Sequence, residues 1–199
     1  MVDRAKILAE NKEFFNQYAA GYDKFFGNWI IGTQKRMLRH VVLKKNSRVL
    51  DVGCGTGNLL HMLEAKDNRF DLYGIDIAEA MLKIAKGKLK SAHIGVGSAE
   101  HIPFKDNFFD ILFSVDAFHH YADHEMAMYS FMRKLKKGGQ LVIADLNFGF
   151  LNGLFHVLEP GNTGLYTKRG LKELLVKHGF KDVVQKKVGL FTLMTVGKK

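Results

Sequence analysis

Val49-Leu50-Asp51-Val52-Gly53-Cys54-Gly55-Thr56-Gly57-Asn58 is the stretch on which the fold turns. Arg48 to Val52 reads as a short strand that runs straight into glycines at 53, 55 and 57. Leu59, Leu60, Met62 and Leu63 then recur at helical spacing. Alternate glycines after a strand let the backbone turn tightly and let a ligand approach with no side chain in the way. The helix that follows aims its free N–H groups at that ligand.

Outward from this loop, strands and helices alternate. Asp71 to Asp76 reads as a second strand, Ala78 to Lys90 as a helix and Ala92 to Val96 as a short strand. A loop through Pro103 leads to strand Phe109 to Val115, helix His124 to Lys136, the turn Gly138-Gly139 and strand Gln140 to Leu146. Such alternation predicts a parallel sheet covered on both faces. Upstream, residues 5–43 read as helical, with Phe14, Phe15, Tyr18, Tyr22, Phe25, Phe26 and Trp29 spaced mostly three or four apart. Downstream, helix Thr167 to His178 precedes two strand-like runs, Lys181 to Val188 and Leu190 to Val196, with only Gly189 between them. So short a connection joins antiparallel neighbours. The expected fold class is therefore α/β, doubly wound and mostly parallel, with an antiparallel hairpin at its C-terminal end.

Composition sets the outer limits. The 199 residues suit one domain with a sizeable core, and 47% hydrophobic with 25% charged residues describes a globular chain. No apolar run approaches the ~18–20 residues of a membrane helix, and the first residues lack the ~7–15-residue apolar stretch of a signal peptide. The lone cysteine, Cys54, excludes an internal disulfide, so a cytoplasmic location is expected. The net charge of +10 leans toward acidic partners, yet the cations are scattered among apolar positions as on a solvated face.

Asp76 ends the second strand 19 residues after Gly57, where a carboxylate can accept both hydroxyls of a ribose. A dinucleotide favours G-x-G-x-x-G; here the spacing is G-x-G-x-G and the sixth position is Asn58. Asp51 repels a pyrophosphate and attracts an ammonium group. A nucleoside carrying a zwitterionic amino acid satisfies both features, and S-adenosylmethionine is such a molecule.

Residues 18–147 resemble the class I S-adenosylmethionine-dependent methyltransferases, in particular the small-molecule branch with the ubiquinone/menaquinone-biosynthesis C-methyltransferases. Tyr18-Ala19-Ala20-Gly21-Tyr22-Asp23 is similar to the family's N-terminal element, VLDVGCGTG (49–57) to its glycine motif and YGIDIAEAML (73–82) to its ribose-binding segment. Gly97-Ser98-Ala99-Glu100-His101-Ile102-Pro103-Phe104 resembles the adenine-edge loop, and Phe109 to Val115 the fourth strand. The resemblance implies a Rossmann-like seven-stranded sheet with its last strand antiparallel. It implies S-adenosyl-L-methionine held by Tyr18, Asp51, Gly53, Gly55, Thr56, Gly57, Asp76, Ile77, Ser98, Ala99, Glu100 and Val115. Many relatives carry an aspartate where this chain has Ser98, a weaker acceptor for an adenine amine.

Methyl transfer from a sulfonium needs alignment and dryness more than acid–base help. His119 and His120 follow the fourth strand and are candidates for a general base, with Tyr22 beside them as part of a lid. Tyr18 and Tyr22 offer aromatic faces to a cationic sulfonium. No metal is expected: His120 and His124 are four apart, but the helix starts only near Asp123. Cys54 is expected to be unreactive, filling a position that takes only a small side chain. Asn147 to Tyr166, rich in Phe and Leu, is expected to wall an apolar acceptor or to pack under a loop.

The expected organisation is one domain over 1–199: a helical cap (1–45), a cofactor core (46–147) and an acceptor-side segment with the hairpin (148–199). The expected function is methyl transfer to a small, partly apolar acceptor such as a quinone precursor, a lipid or a metabolite. Two alternatives remain, a nucleic-acid methyltransferase and a non-catalytic nucleoside-binding module. The Ser114-Val115-Asp116-Ala117 stretch lacks the Asn/Asp-Pro-Pro-Tyr/Phe signature of base-amine methylation. Peripheral membrane contact is compatible with the sequence, which leaves oligomeric state open.

Overall fold

The computed structural model describes residues 3–149 and 163–199. The chain opens with helix α1 (Arg4–Leu38), followed by β1 (Arg48–Val52), α2 (Asn58–Lys66), β2 (Asp71–Asp76), α3 (Glu79–Lys88) and β3 (His93–Val96). Strand β4 (Phe109–Val115), a single 3-10 turn (Phe118–His120), α4 (His124–Lys134) and β5 (Leu135–Leu146) come next. Helix α5 (Lys168–Lys177) and strands β6 (Lys181–Lys187) and β7 (Thr192–Lys198) end the chain.

The seven strands form one sheet in the order β3-β2-β1-β4-β5-β7-β6. The first five are parallel, and β7 runs antiparallel to both β5 and β6. Strands buried on both faces need apolar side chains pointing both ways. Leu50, Leu112, Leu141 and Ile143 accordingly pack against α4 and α5 through Met128, Phe131, Leu171 and Leu175. Their neighbours Val49, Ile111, Phe113 and Val142 pack the opposite way, against Met37 of α1 and Leu59, Leu60 and Leu63 of α2.

Several element ends differ from the sequence reading, each for a local reason. Helix α3 stops at Lys88 rather than Lys90 because the Glu64 carboxylate captures the N–H groups of Lys90, Ser91 and Ala92. Helix α4 stops at Lys134 because the carbonyls of Arg133 and Lys134 accept from Asn107 and Phe108, which draws Leu135 beside β4. The expected Gly138-Gly139 turn becomes an irregularity inside β5, with Gly138 at φ +77°. In the C-terminal hairpin, residues 188–191 form the connection rather than Gly189 alone, closed by Val188 N–H donating to Thr192 and by Arg36 of α1 donating to the Val188 carbonyl. Of the expected acceptor-side segment, residues 150–162 lie outside the described residues.

Gly57 caps α2 with φ +79°, and a Cβ there would lie 3.0 Å from Ala85 Cβ and 3.1 Å from Leu89 Cδ1. The Gly57→Ala variant should therefore suffer both left-handed strain and a forced separation of α2 from α3, lowering stability by about 2 kcal/mol. Thermal unfolding should show a drop of roughly 4–8 °C, and an unchanged midpoint would contradict the close approach of α3 to Gly57.

Candidate functional site

Strand order reverses between β1 and β4, so the crossovers leave a crevice over the C-terminal ends of these strands. Gly53 turns the chain out of β1 at φ +71°, and a Cβ on it would stand 2.6 Å from Ala117 Cβ. The N–H groups of Gly53 and Cys54 donate to the Ile75 carbonyl, at 2.9 and 3.0 Å. Asp76, at the end of β2, accepts from Gly55 N–H at 2.8 Å and from Ala78 N–H at 2.9 Å. The carboxylate thus joins the glycine loop to the start of α3, with further lone pairs left for a ligand. A Cβ on Gly55 would meet nothing within 4 Å, so the space above that residue is open.

Helix α1 roofs the crevice. Asp23 accepts from Thr56 Oγ1 (2.7 Å), Asn58 Nδ2 (2.9 Å) and Lys88 Nζ (2.5 Å), fixing the helix to the glycine loop and to α3. Nearer the N-terminus, Asn11 donates to the His120 carbonyl at 2.7 Å and Asn16 accepts from Ala80 N–H at 2.9 Å. Lys12 pairs with Glu79 at 2.7 Å, and Arg4 with Asp123 at 2.9 Å. These ties bring Leu8, Phe15 and Tyr22, seven residues apart, to the wall of a cavity that also opens to solvent.

The cavity gathers Tyr22, Gly53, Gly55, Asp76, Ile77, Ser98, Ala99, Glu100 and His120 from the residues singled out in the sequence. Tyr18 is not among the lining residues; its ring lies on Phe14, and half of the side chain is exposed. Thr56 and Gly57 serve the loop's attachment to Asp23 and α3, while Val115 is buried in the core face toward α2. Asp51 is buried within β1 beneath the loop.

His119 is also buried behind the wall. Its backbone N–H donates to Asp145 Oδ2 at 2.9 Å, and its Nδ1 is 2.5 Å from Asp145 Oδ1. The His119 and His120 rings are 4.0 Å apart, and His120 stands edge-on to Phe15 at 5.0 Å. His120 ends the 3-10 turn and His124 begins α4, where its ring stacks on Phe118. The two therefore share no helical face. Among the described residues there is no cluster of three or more metal-ligating side chains.

Two contributors escaped the sequence reading. Tyr121 Oη donates to the Val52 carbonyl at 2.9 Å and lies 2.8 Å from Ser114 Oγ, joining the ends of β1 and β4. Asp145 ends β5 as Asp51 and Asp76 stand at the ends of β1 and β2. That repeated strand-end aspartate was the available signal.

No lysine or arginine lines the cavity among the described residues, whereas Asp76, Glu100 and Asp116 do. Burial pushes the Asp51 carboxyl well up, and the charge of Asp76 pushes it further. Burial also raises Asp76, against the N–H groups of Ala78, Gly55 and Ile77. Asp145 goes the other way: burial is outweighed by the His119 imidazole and two backbone N–H groups, which hold it below the usual carboxylate range. The Cys54 thiol is pushed well up by burial and by Asp76 and Asp51, so it stays protonated and inert. An acidic cavity lined, among the described residues, by no lysine or arginine, with bare backbone and apolar walls at Ile77, Met81 and Ala99, suits a cationic or zwitterionic nucleoside and opposes a pyrophosphate.

A methyltransferase-domain family model matches residues 50–143. The chain is 32% identical over 113 residues to demethylmenaquinone methyltransferase of Thermotoga maritima, a match covering 57% of this chain and 49% of that protein. It is 33% identical over 145 residues to a methyltransferase of Anoxybacillus flavithermus, covering 68% of this chain and 67% of the relative. The matched part thus spans between about half and two thirds of the relatives' own length. In fold, the chain is similar to phosphoethanolamine N-methyltransferase 2 of Haemonchus contortus, crystallised with S-adenosyl-L-methionine. That likeness has a TM-score of 0.76 at 24% identity and covers 94% of this chain and 46% of that one.

The raised Asp51 carboxyl is a stability cost: stability is full below its unfolded pKa, near ~3.9, and is lost as pH rises through the higher folded value. Asp51→Asn should raise the unfolding midpoint of the ligand-free protein at pH 7, and the gain should shrink as pH falls toward ~4. Thermal melts across that range check it; a loss of stability at pH 7 would contradict the assignment.

Proposed function

The chain belongs to the class I S-adenosylmethionine-dependent methyltransferases, and from that membership we propose that its crevice moves a methyl group from S-adenosylmethionine to a small, partly apolar acceptor. The observation that carries this reading is the cavity lining, which combines strand-end acids and bare glycine backbone with the apolar and aromatic groups Leu8, Phe15, Tyr22 and Met81. The acceptor class we favour is a quinol-like ring, for which the identity to a demethylmenaquinone methyltransferase is the support.

When bound, S-adenosylmethionine supplies a methyl group already activated on a cationic sulfur. The chain's own task is binding, alignment and exclusion of water. Asp76 holds the ribose hydroxyls with lone pairs not spent on Gly55 and Ala78. Ile77 and Ala99 flank the adenine, and Ser98 and Glu100 meet its edge. Asp51, beneath the loop and raised by burial, is the carboxyl that the ammonium end would draw toward its charged form. Phe15 and Tyr22, carried on the roofing helix, shield the reacting centre from water and offer ring faces to positive charge.

His120 is the imidazole on the wall, a group able to take a proton from an acceptor hydroxyl. Asp145, ionised, accepts from His119 Nδ1–H, and His119 in turn fixes the His120 ring against Phe15. Asp145 and His119 are positioning residues; His120 is the proposed base. Nucleic acid is disfavoured as acceptor because the crevice is lined by Asp76, Glu100 and Asp116 and, among the described residues, by no lysine or arginine.

Incubation with labelled methyl donor and a panel of quinols, lipid head groups and RNA should transfer label to a quinol. Label appearing in RNA alone would refute the acceptor class. Asp76→Ala should weaken donor binding at least about tenfold by isothermal calorimetry, and unchanged affinity would remove Asp76 from the ribose role. His120→Ala should cut kcat by about 100-fold with donor affinity intact. Asp145→Asn should shift the pH–kcat profile while leaving donor affinity unchanged.

A further inference from the structure

The roofing helix has one face that neither the core nor the cavity uses. Ala19, Gly27, Ile30, Thr33, Gln34 and Met37 are among its buried residues, and Leu8, Phe15 and Tyr22 face the cavity. Phe14, Tyr18, Phe25 and Trp29 follow one another at spacings of four, seven and four, which places them along a separate stripe. This stripe is open to solvent: Tyr18 is 51% exposed, Phe25 74% and Trp29 41%. Arg36, seven residues past Trp29, donates to the Val188 carbonyl and so brings the β6–β7 connection alongside. There Leu190 is 81% exposed, and Phe191, its ring 5.0 Å from Phe148, is also open.

Charge on this stretch is one-sided. From Tyr18 to Lys45 the only acid is Asp23, turned inward to Lys88, Thr56 and Asn58. The cations are Lys24, Lys35, Arg36, Arg39, Lys44 and Lys45. Lys24, Lys35 and Arg39 lie exposed on the flank of the aromatic stripe. Exposed aromatics in a row with a basic border offer rings to an acyl boundary and cations to anionic head groups. No helix among the described residues is long and apolar enough to cross a membrane, so the contact is with a surface.

We propose that the outward stripe of α1, extended by Leu190 and Phe191, docks the protein on an anionic lipid surface. The proposal does not rest on the identity of the methyl acceptor. It does place the cavity-lining residues of the same helix next to the lipid, where a greasy acceptor would arrive.

Trp29 is the chain's only tryptophan, so its emission reports the stripe directly. The full chain is mixed with vesicles of phosphatidylcholine alone or of phosphatidylcholine with phosphatidylglycerol. With the anionic vesicles Trp29 emission should shift to the blue and be quenched by brominated acyl chains, and the protein should sediment with the lipid. Phe25→Ser combined with Lys35→Glu and Arg39→Glu should weaken that sedimentation at least about tenfold without moving the unfolding midpoint. Absence of a shift with anionic vesicles would overturn the proposal, as would equal binding to phosphatidylcholine alone. A lipid-free blue shift that grows with protein concentration would assign the stripe to a second copy of the chain and overturn it likewise.

Discussion

A parallel sheet must return its chain through crossovers, and here those crossovers leave β1 and β4 in opposite directions. The ends of those two strands are therefore uncovered by the helices that cover the rest of the sheet. The other features of the site answer that gap. Gly53 is bare because Ala117 crosses at contact distance, Tyr121 bridges the two strand ends, and Asp76 staples the loop to α3. A separate helix from the N-terminal end of the chain then closes the top, held by Asp23 and the polar ties nearer its start. Without the reversal of strand order, these devices would have nothing to enclose.

The electrostatics of the crevice oppose those of the chain as a whole. A protein of net charge +10 places Asp51, Asp76 and Asp145 at the ends of three parallel strands, with Asp116 just beyond the fourth. Buried carboxylates destabilise the ligand-free fold unless something compensates them. Asp145 has His119 and sits below its usual pKa; Asp51 is raised by burial and by the charge of Asp76, and Asp76 is raised by burial against its backbone N–H donors. A carboxylate with an internal partner is compensated within the fold; under the proposed function, the two carboxyls raised by burial are the ones a cationic ligand would compensate.

The strands were the most legible part of the sequence. Residues 48–52, 71–76 and 109–115 carry apolar side chains toward both faces between polar or glycine boundaries, and local pattern alone marks where they start and stop. Boundaries set by distant partners were not legible: Glu64 ends α3 from two elements away, and Arg36 shapes the hairpin connection from α1. Ligand-facing residues showed the same split. Gly53, Gly55 and Asp76 announce themselves by spacing along the chain. Asp145 becomes part of the site only through a contact with His119, 26 residues away, and Tyr121 reaches the cavity wall while held to the Val52 carbonyl, 69 residues away. Tyr18 shows the opposite error, since aromatic spacing on a helix says that a face exists but not which neighbour it meets.

Helix α1 makes that last point general. At 35 residues it is about 52 Å long, well beyond the length of strands of five to seven residues. A helix with one partner concentrates its apolar residues in one stripe. This one distributes them around much of its circumference: Ala19 toward α3, Met37 toward the sheet and α2, Leu8, Phe15 and Tyr22 toward the cavity, and Phe25 and Trp29 toward solvent. All but the last set have partners inside the molecule. Aromatic side chains exposed in a row forfeit the burial that would repay their contact with water. Their retention beside a cation-rich, acid-poor flank is therefore informative about what the helix meets outside the fold, and the cavity face puts that encounter on the same element that walls the crevice.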